Sequence, residues 1–249
     1  MTGPAHTFRY FVNQDLEQEL EVELGDEDAR HLVRVVRARL GDRVELIDRT
    51  RARWPAQVTA LTPRVVCRVS GPGAKPPLAA PIELRLCLPR KDTLDRTVRM
   101  VTELGVEQIV LLTSERLDPA ASQEFSPERI ARLSRIAHEA WIQSGVAQAP
   151  VLRGPVSFDS TLEQVASVGA AKPCVILDPR AEPRLFEVLD GALSVILIVG
   201  PEAGFSDGEV ARAEASGAIR ANLGTPGVLR VDTAAVCATA IARSRLTRP

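Results

Sequence analysis

No pair of cysteines in this chain is close enough in sequence to bind a metal together: Cys67, Cys87, Cys174 and Cys237 are widely spaced, and no C-x-x-C occurs. His6, His31 and His138 are equally scattered. Neither a zinc site nor a disulfide framework is implied, so no metal is expected, and the cysteines read as small core hydrophobes of a reducing compartment. The opening residues MTGPAHTFRYF lack a charged start followed by an apolar stretch, which speaks against a signal peptide. The longest apolar run, around Val195 to Val199, is too short to span a bilayer. A cytoplasmic chain with no membrane partner is therefore expected. Nucleotide fingerprints are missing as well. G-x-G-x-x-G and G-x-x-x-x-G-K-[ST] are both absent, so a dinucleotide fold and a P-loop lose their support, and Ser206 has no obvious His partner in sequence, so a hydrolase triad is not expected. A net charge of -1 provides no bulk attraction for nucleic acid, and lysines number only three.

The 249 residues that remain, 45% hydrophobic and 25% charged, suffice for one large domain or two modest ones with a real core. Charge is unevenly placed. Residues 15–28 carry eight acidic side chains and no basic one; Arg30, Arg34, Arg37, Arg39, Arg43, Arg49, Arg51 and Arg53 follow. Such a cluster can attract phosphate, although a solvated surface in an arginine-rich chain explains it equally simply. The runs RVELID, ARWPAQVTAL and RVVCRVS read as short strands. DEDARHLVRVVRARLG reads as one helix ending at Gly41, with Leu32, Val33, Val36 and Leu40 on its buried face and His31, Arg34 and Arg37 on another. GPGAKPPLAAP, residues 71–81, reads as a linker. Beyond it, strands alternate with helices: IELRLCL, a helix closed by Gly105, VEQIVLL, a helix from Ser126 to Gly145, then CVILD, SVILIVG and IRANL, and a final alanine-rich helix. This alternation predicts a parallel sheet covered on both faces.

Open parallel sheets bind ligands beyond the carboxyl ends of their strands. Three late strand ends qualify: VILDPRAEP, IVGPEAGFS and NLGTPGVLRVDTAA. In the second, Ser206 and Glu209 form an S-x-x-E capping box, so a helix begins directly after the glycine turn. Gly200 and Gly204 permit a close backbone approach to a flat ligand, while Pro201 stiffens the turn; a ligand-free tight turn is the plain alternative. In the third, Arg230, Asp232 and Thr233 could position a substrate or move a proton, or simply cap the last helix.

These residues resemble a known family. LIVGPEAGFSDGEV is similar to its Gly-Pro-Glu-Gly-Gly loop and NLGTPGVLRVDTAA to its Leu-Gly…Leu-Arg-x-Glu-Thr-Ala motif. RKDTLDRTVRMVTELGVEQIVLLTSER, QSG at 143–145, FRYFV and HLVRVVRARLGDRVELID extend the likeness over nearly the whole chain. The family is that of the ribosomal RNA small subunit methyltransferases E, SPOUT enzymes that methylate uridine N3 in 16S rRNA. The resemblance implies an α/β fold: a PUA-like β-barrel RNA-binding domain over 1–73, and a SPOUT parallel-sheet domain over 74–249 with a deep trefoil knot within about 174–240. It implies a homodimer acting on 16S rRNA of the small subunit with S-adenosylmethionine. The cofactor site would comprise Leu177, Asp178, Val199, Gly200, Pro201, Glu202, Gly204, Leu223, Gly224, Val228, Leu229, Arg230, Thr233 and Ala234. Asp232 is the candidate base and Arg230 the candidate holder of uracil; Arg9, His31, Arg34, Arg37, Lys91 and Arg116 would contact RNA. A SPOUT methyltransferase for another RNA, or an inactive RNA-binding paralogue, are the competing expectations. Ala203 replaces the second glycine of the loop motif, which a negative φ would tolerate. Gly227 stands where arginine is common, and Asp232 where glutamate is usual.

Overall fold

Alternating apolar residues over 43–47 and 53–60 put one side chain in two on a common face, and the chain turns this into a small sheet. The computed structural model describes residues 7–89, 91–117, 126–168 and 172–246. They fall into two compact units, Met1–Leu78 with Ile142–Ala147 and Ala79–Trp141 with Gln148–Pro249.

The first unit holds β1 (Phe8–Phe11), β2 (Glu21–Glu23), β3 (Arg43–Ile47), β4 (Arg53–Ala60) and β5 (Val66–Val69), in the order β1-β3-β4-β5-β2. β1 runs parallel to β3, and the other neighbours are antiparallel. Val44, Leu46, Ala56, Val58, Cys67 and Val69 point inward and enclose Tyr10, Val22 and Leu32. The helix expected up to Gly41 is shorter. α1 covers Asp26–Arg30, continues as a wider π-helical turn over His31–Val36, and stops at Arg37, whose φ is +57°. More than four residues per turn pull the apolar positions off a 3.6-residue face. Leu32 is accordingly buried, whereas Val33 and Leu40, expected beside it, are exposed.

The second unit is a six-stranded, wholly parallel sheet of order β11-β9-β10-β6-β7-β8. Its strands are β6 (Ile82–Cys87), β7 (Gln108–Thr113), β8 (Val151–Ser157), β9 (Cys174–Leu177), β10 (Val195–Val199) and β11 (Ile219–Ala221). Strand β8 has no counterpart among the expected strands, because Gly154-Pro155 interrupts it; as an edge strand it tolerates a proline. β10 is buried at every residue, as befits a central parallel strand. Val195, Leu197 and Val199 face helices α2 (Lys91–Glu103), α3 (Pro127–Ser144) and α7 (Val231–Arg245). Ile196 and Ile198 face α4 (Phe158–Val168) and α6 (Asp207–Ala215). A short helix, α5 (Leu185–Val188), lies between β9 and β10. Arg243 of α7 donates to the carbonyls of Leu104, Gly105 and Ala80 at 3.0, 2.6 and 2.6 Å, so it neutralises the carbonyl end of α2 and fixes α7 against it.

Candidate active site

Because β9, β10 and β11 are adjacent and parallel, their carboxyl ends share one edge of the sheet, and the loops 178–184, 200–206 and 222–230 leave it together. The second loop is tied down most firmly. Pro201 to Gly204 is a tight turn closed by the Gly204 amide donating to the Pro201 carbonyl at 2.8 Å, and Gly204 has φ +68°. Ala203 is not among the residues of positive φ, so its β-carbon is accommodated. At Gly200 a β-carbon would come within 3.0 Å of the Phe205 ring, which is itself buried and packed on Phe158.

The capping box expected at Ser206 is present: the Glu209 amide donates to Ser206 Oγ at 3.0 Å and the Ser206 amide to Glu209 Oε2 at 2.8 Å. Glu209 does more than cap. Fully buried, it also accepts the Glu115 amide at 2.9 Å, which joins the loop to the end of β7. Ser206 Oγ donates to Glu115 Oε2 at 2.6 Å, and Arg116 donates to the Ala203 and Phe205 carbonyls, each at 3.3 Å. Arg116, expected to meet RNA, thus braces this loop.

The third loop is fastened mainly through Asn222. Its side-chain amide donates to the Ala181 carbonyl at 2.7 Å, and its Oδ1 accepts the Gly224 amide at 2.6 Å. The Thr225 hydroxyl donates to the Gly227 carbonyl at 2.9 Å. Residues 224–228 are exposed.

Between the loops lies a pocket lined by residues of all three. Of the residues expected at a cofactor site, Leu177, Asp178, Val199, Gly200, Pro201, Glu202, Gly204, Leu223, Val228, Leu229 and Ala234 line it. Gly224 lines a more open recess formed largely by the third loop. Arg230 and Thr233 line neither. Only Asp178, Glu202, Asn222 and Thr225 bring polar side chains to the pocket, so most polar recognition there falls to the backbone.

Asp178 is nearly buried, and both its oxygens are taken. Oδ1 accepts the Arg180 amide and Nε at 2.8 and 3.1 Å; Oδ2 accepts Arg180 Nη2 and Arg220 Nε at 2.9 and 3.0 Å. Burial pushes its carboxyl up, but the hydrogen bonds from Arg180 and the charges of Arg220 and Arg180 outweigh it and hold the group below its ordinary value. Arg180 reaches on to Asp207 at 2.7 Å, so it ties the first loop to the start of α6.

Asp232, the candidate base, occupies a different place. It is buried in the first turn of α7, pairs with Arg96 of α2 and accepts the Thr233 amide at 2.9 Å. It does not line the pocket. Burial raises its carboxyl, and the Arg96 and Thr233 bonds together lower it below the ordinary value. A carboxylate committed in this way serves as a helix-start anchor and is poorly disposed to take a proton. Arg230 precedes α7, is exposed, and makes no side-chain cap.

In the first unit, His31, Arg34 and Arg37 are exposed on the π-helical turn, and His31 Nδ1 lies 3.2 Å from the Tyr10 hydroxyl. Arg9 is drawn away from them. It donates to Glu45 Oε1 at 2.9 Å and to the Gln143 carbonyl at 3.0 Å, and its guanidinium lies against Gly145, whose φ is +72°. Lys91 opens α2, and its side chain lies outside the described residues. No group of three or more His, Cys, Asp or Glu that could hold a metal occurs among the described residues. No described helix is long and apolar enough to cross a membrane.

A parallel sheet whose glycine loops shape a small-molecule pocket, preceded in sequence by a small β unit bearing exposed arginines, defines a two-domain α/β ligand-binding protein. The RNA methyltransferase domain family matches residues 76–243, and the RNA methyltransferase PUA domain matches residues 24–69, so the chain belongs to the RNA methyltransferase family. Among its relatives is the ribosomal RNA small subunit methyltransferase E of Synechocystis, 28% identical over 94% of this chain and 76% of that one. A solved ribosomal RNA small subunit methyltransferase E from Neisseria gonorrhoeae, bound to S-adenosylmethionine, aligns with a TM-score of 0.78 at 25% identity, over 97% of this chain and 98% of that one. A methyltransferase of Legionella pneumophila in complex with the same cofactor aligns with a TM-score of 0.79 at 25% identity, over 96% and 98% of the two chains.

Proposed function

We propose that this chain is an S-adenosylmethionine-dependent methyltransferase acting on uridine N3 in 16S rRNA of the small ribosomal subunit. The observation that carries the reading is the pocket between the three strand-end loops, because it suits that cofactor. Leu177, Val199, Leu223 and Leu229 give apolar walls for a flat adenine, and the polar groups on offer are mainly backbone ones. The bound cofactor supplies an electrophilic methyl group. The chain's part is to hold it, to exclude water with the third loop, and to bring uracil N3 in line.

N3 is a weakly acidic imide, so its proton must leave or its negative charge must be held. Arg230, exposed beside the pocket loops, is the candidate for that charge. N3 lies on the pairing edge of the base, so the target uridine is unpaired or turned out of its stack. The exposed Arg34 and Arg37, with His31 beside them, are the candidates to meet RNA phosphates, and RNA affinity through the two arginines should fall steeply with salt. A homodimer, work in the cytoplasm, and a trefoil knot within about 174–240 belong to the same reading. The return of β10 into the sheet between β9 and β6 supports the knot.

Two measurements test the proposal together. Saturating S-adenosylmethionine should raise the unfolding temperature, since a native-state ligand at about 100 times its Kd adds about 2.7 kcal/mol. Mass mapping of 16S rRNA from cells with and without the gene should find one uridine whose N3 methylation depends on it. Cofactor binding with a methyl mark on another RNA would point to a different substrate; no stabilisation at all would leave an RNA-binding protein without catalysis.

A further inference from the structure

We infer that Glu202 is the general base that accepts the N3 proton of the target uracil. The inference rests on the methyltransferase reading above and names a group that reading leaves open. Four polar side chains line the pocket, and three are already engaged. Arg180 and Arg220 occupy both oxygens of Asp178, the Asn222 amide is held by the Ala181 carbonyl and the Gly224 amide, and the Thr225 hydroxyl is held by the Gly227 carbonyl. Glu202 is the remainder: among the described residues its exposed carboxylate makes no hydrogen bond and no ion pair.

Its backbone is nonetheless fixed, since it is the second residue of the turn that the Gly204 amide closes on the Pro201 carbonyl. Glu202 lines the pocket beside Gly200, Pro201 and Gly204, in the loop that leaves the carboxyl end of β10. Asp232 has no such position, since it is paired with Arg96 in the first turn of α7.

The step balances without any further reagent. A carboxylate oxygen of Glu202 takes the N3 proton, and the N3 lone pair forms the bond to the methyl carbon. As it forms, the bond from that carbon to sulfur breaks, and its electron pair stays on sulfur. The exposed acid then returns its proton to water.

The test compares wild type, Glu202→Gln and Glu202→Ala in single-turnover methylation of 16S rRNA, with S-adenosylmethionine affinity measured by calorimetry. Loss of a general base costs about 10²- to 10⁴-fold in rate. The expected result is a loss of that size in both variants, cofactor Kd within about twofold of wild type in Glu202→Gln, and partial rescue of Glu202→Ala by added formate or acetate. A purely structural role would not produce that rescue. A Glu202→Gln rate within about threefold of wild type overturns the inference, as does parallel loss of rate and cofactor binding without rescue by carboxylate. A wild-type protein that binds cofactor but leaves uracil N3 unmethylated overturns the methyltransferase reading instead, and removes the reaction that needs a base.

Discussion

The two glycine-bearing loops that line one pocket are held in opposite ways. Loop 200–206 is braced at several points: Glu209 of the following helix ties it to the Glu115 amide, Arg116 donates to two of its carbonyls, and Phe205 is buried against Phe158. Loop 222–230 is anchored only at its start, where Asn222 donates to the Ala181 carbonyl and accepts the Gly224 amide; further along only the Thr225 hydroxyl holds the Gly227 carbonyl, and Val228 is 80% exposed. The first loop is thus a preformed wall, whereas the second can adjust and gain order from a ligand. A methyltransferase profits from both, because the methyl donor must be aimed by something rigid and its product released past something loose.

The largest effect expected from breaking this contrast is at Glu209. Glu209→Ala leaves the Ser206 and Glu115 amides without their buried acceptor, which should cost about 3 kcal/mol in denaturant unfolding and abolish the thermal shift with cofactor. A loss below about 1 kcal/mol would show that the brace is not what makes the first wall rigid.

A smaller effect belongs to Asp178, between the walls. Its carboxyl is held below the ordinary value, so its contribution to stability is present above about pH 4 and lost as pH falls through the lower folded value. Asp178→Asn should therefore cost about 1 kcal/mol near neutrality and flatten the acid limb of stability against pH. An unchanged acid limb would remove Arg180 and Arg220 as the cause.

The smallest effect is expected at Gly227, on the loose wall. Its φ is not positive and a β-carbon there meets nothing within 4 Å, so Gly227→Arg should change stability by less than about 0.5 kcal/mol. A larger loss would mean that the second loop is as constrained as the first.

Much of the architecture was legible because it is local. Ser126 and Pro127 open α3 and Gly145 follows its end, while Ser206 and Glu209 announce α6, each through capping chemistry within a few residues. What failed was also local, but competing. The run 26–41 has helical periodicity on paper, yet a π turn and a left-handed Arg37 end it early. Strand β8 was hidden by Gly154-Pro155, which only an edge position permits.

The site divides along the same line. The glycine loops could be read from sequence, whereas the partners of their charges could not. Arg96 is 136 residues from Asp232, and Glu115 is 94 from Glu209; no periodicity or spacing connects them. Only the folded sheet brings them together. Asp232 accordingly was read beside a ligand loop, while its pairing with Arg96 at the start of α7 could be seen only in the fold.

The sheet order has a consequence for how this protein comes to exist. Among the described residues β10 alone joins β9 and β11 to β6 and β7, and it is made about a hundred residues after β6. At about 5–20 residues per second on the ribosome, β6 therefore waits for many seconds with one edge open. During that wait the unit holds an unpaired strand edge, a state in which sheets recruit wrong partners. Its apolar strands are thus a hazard to the cell until residue 199 has emerged, and the chain's dependence on chaperones should peak in that interval.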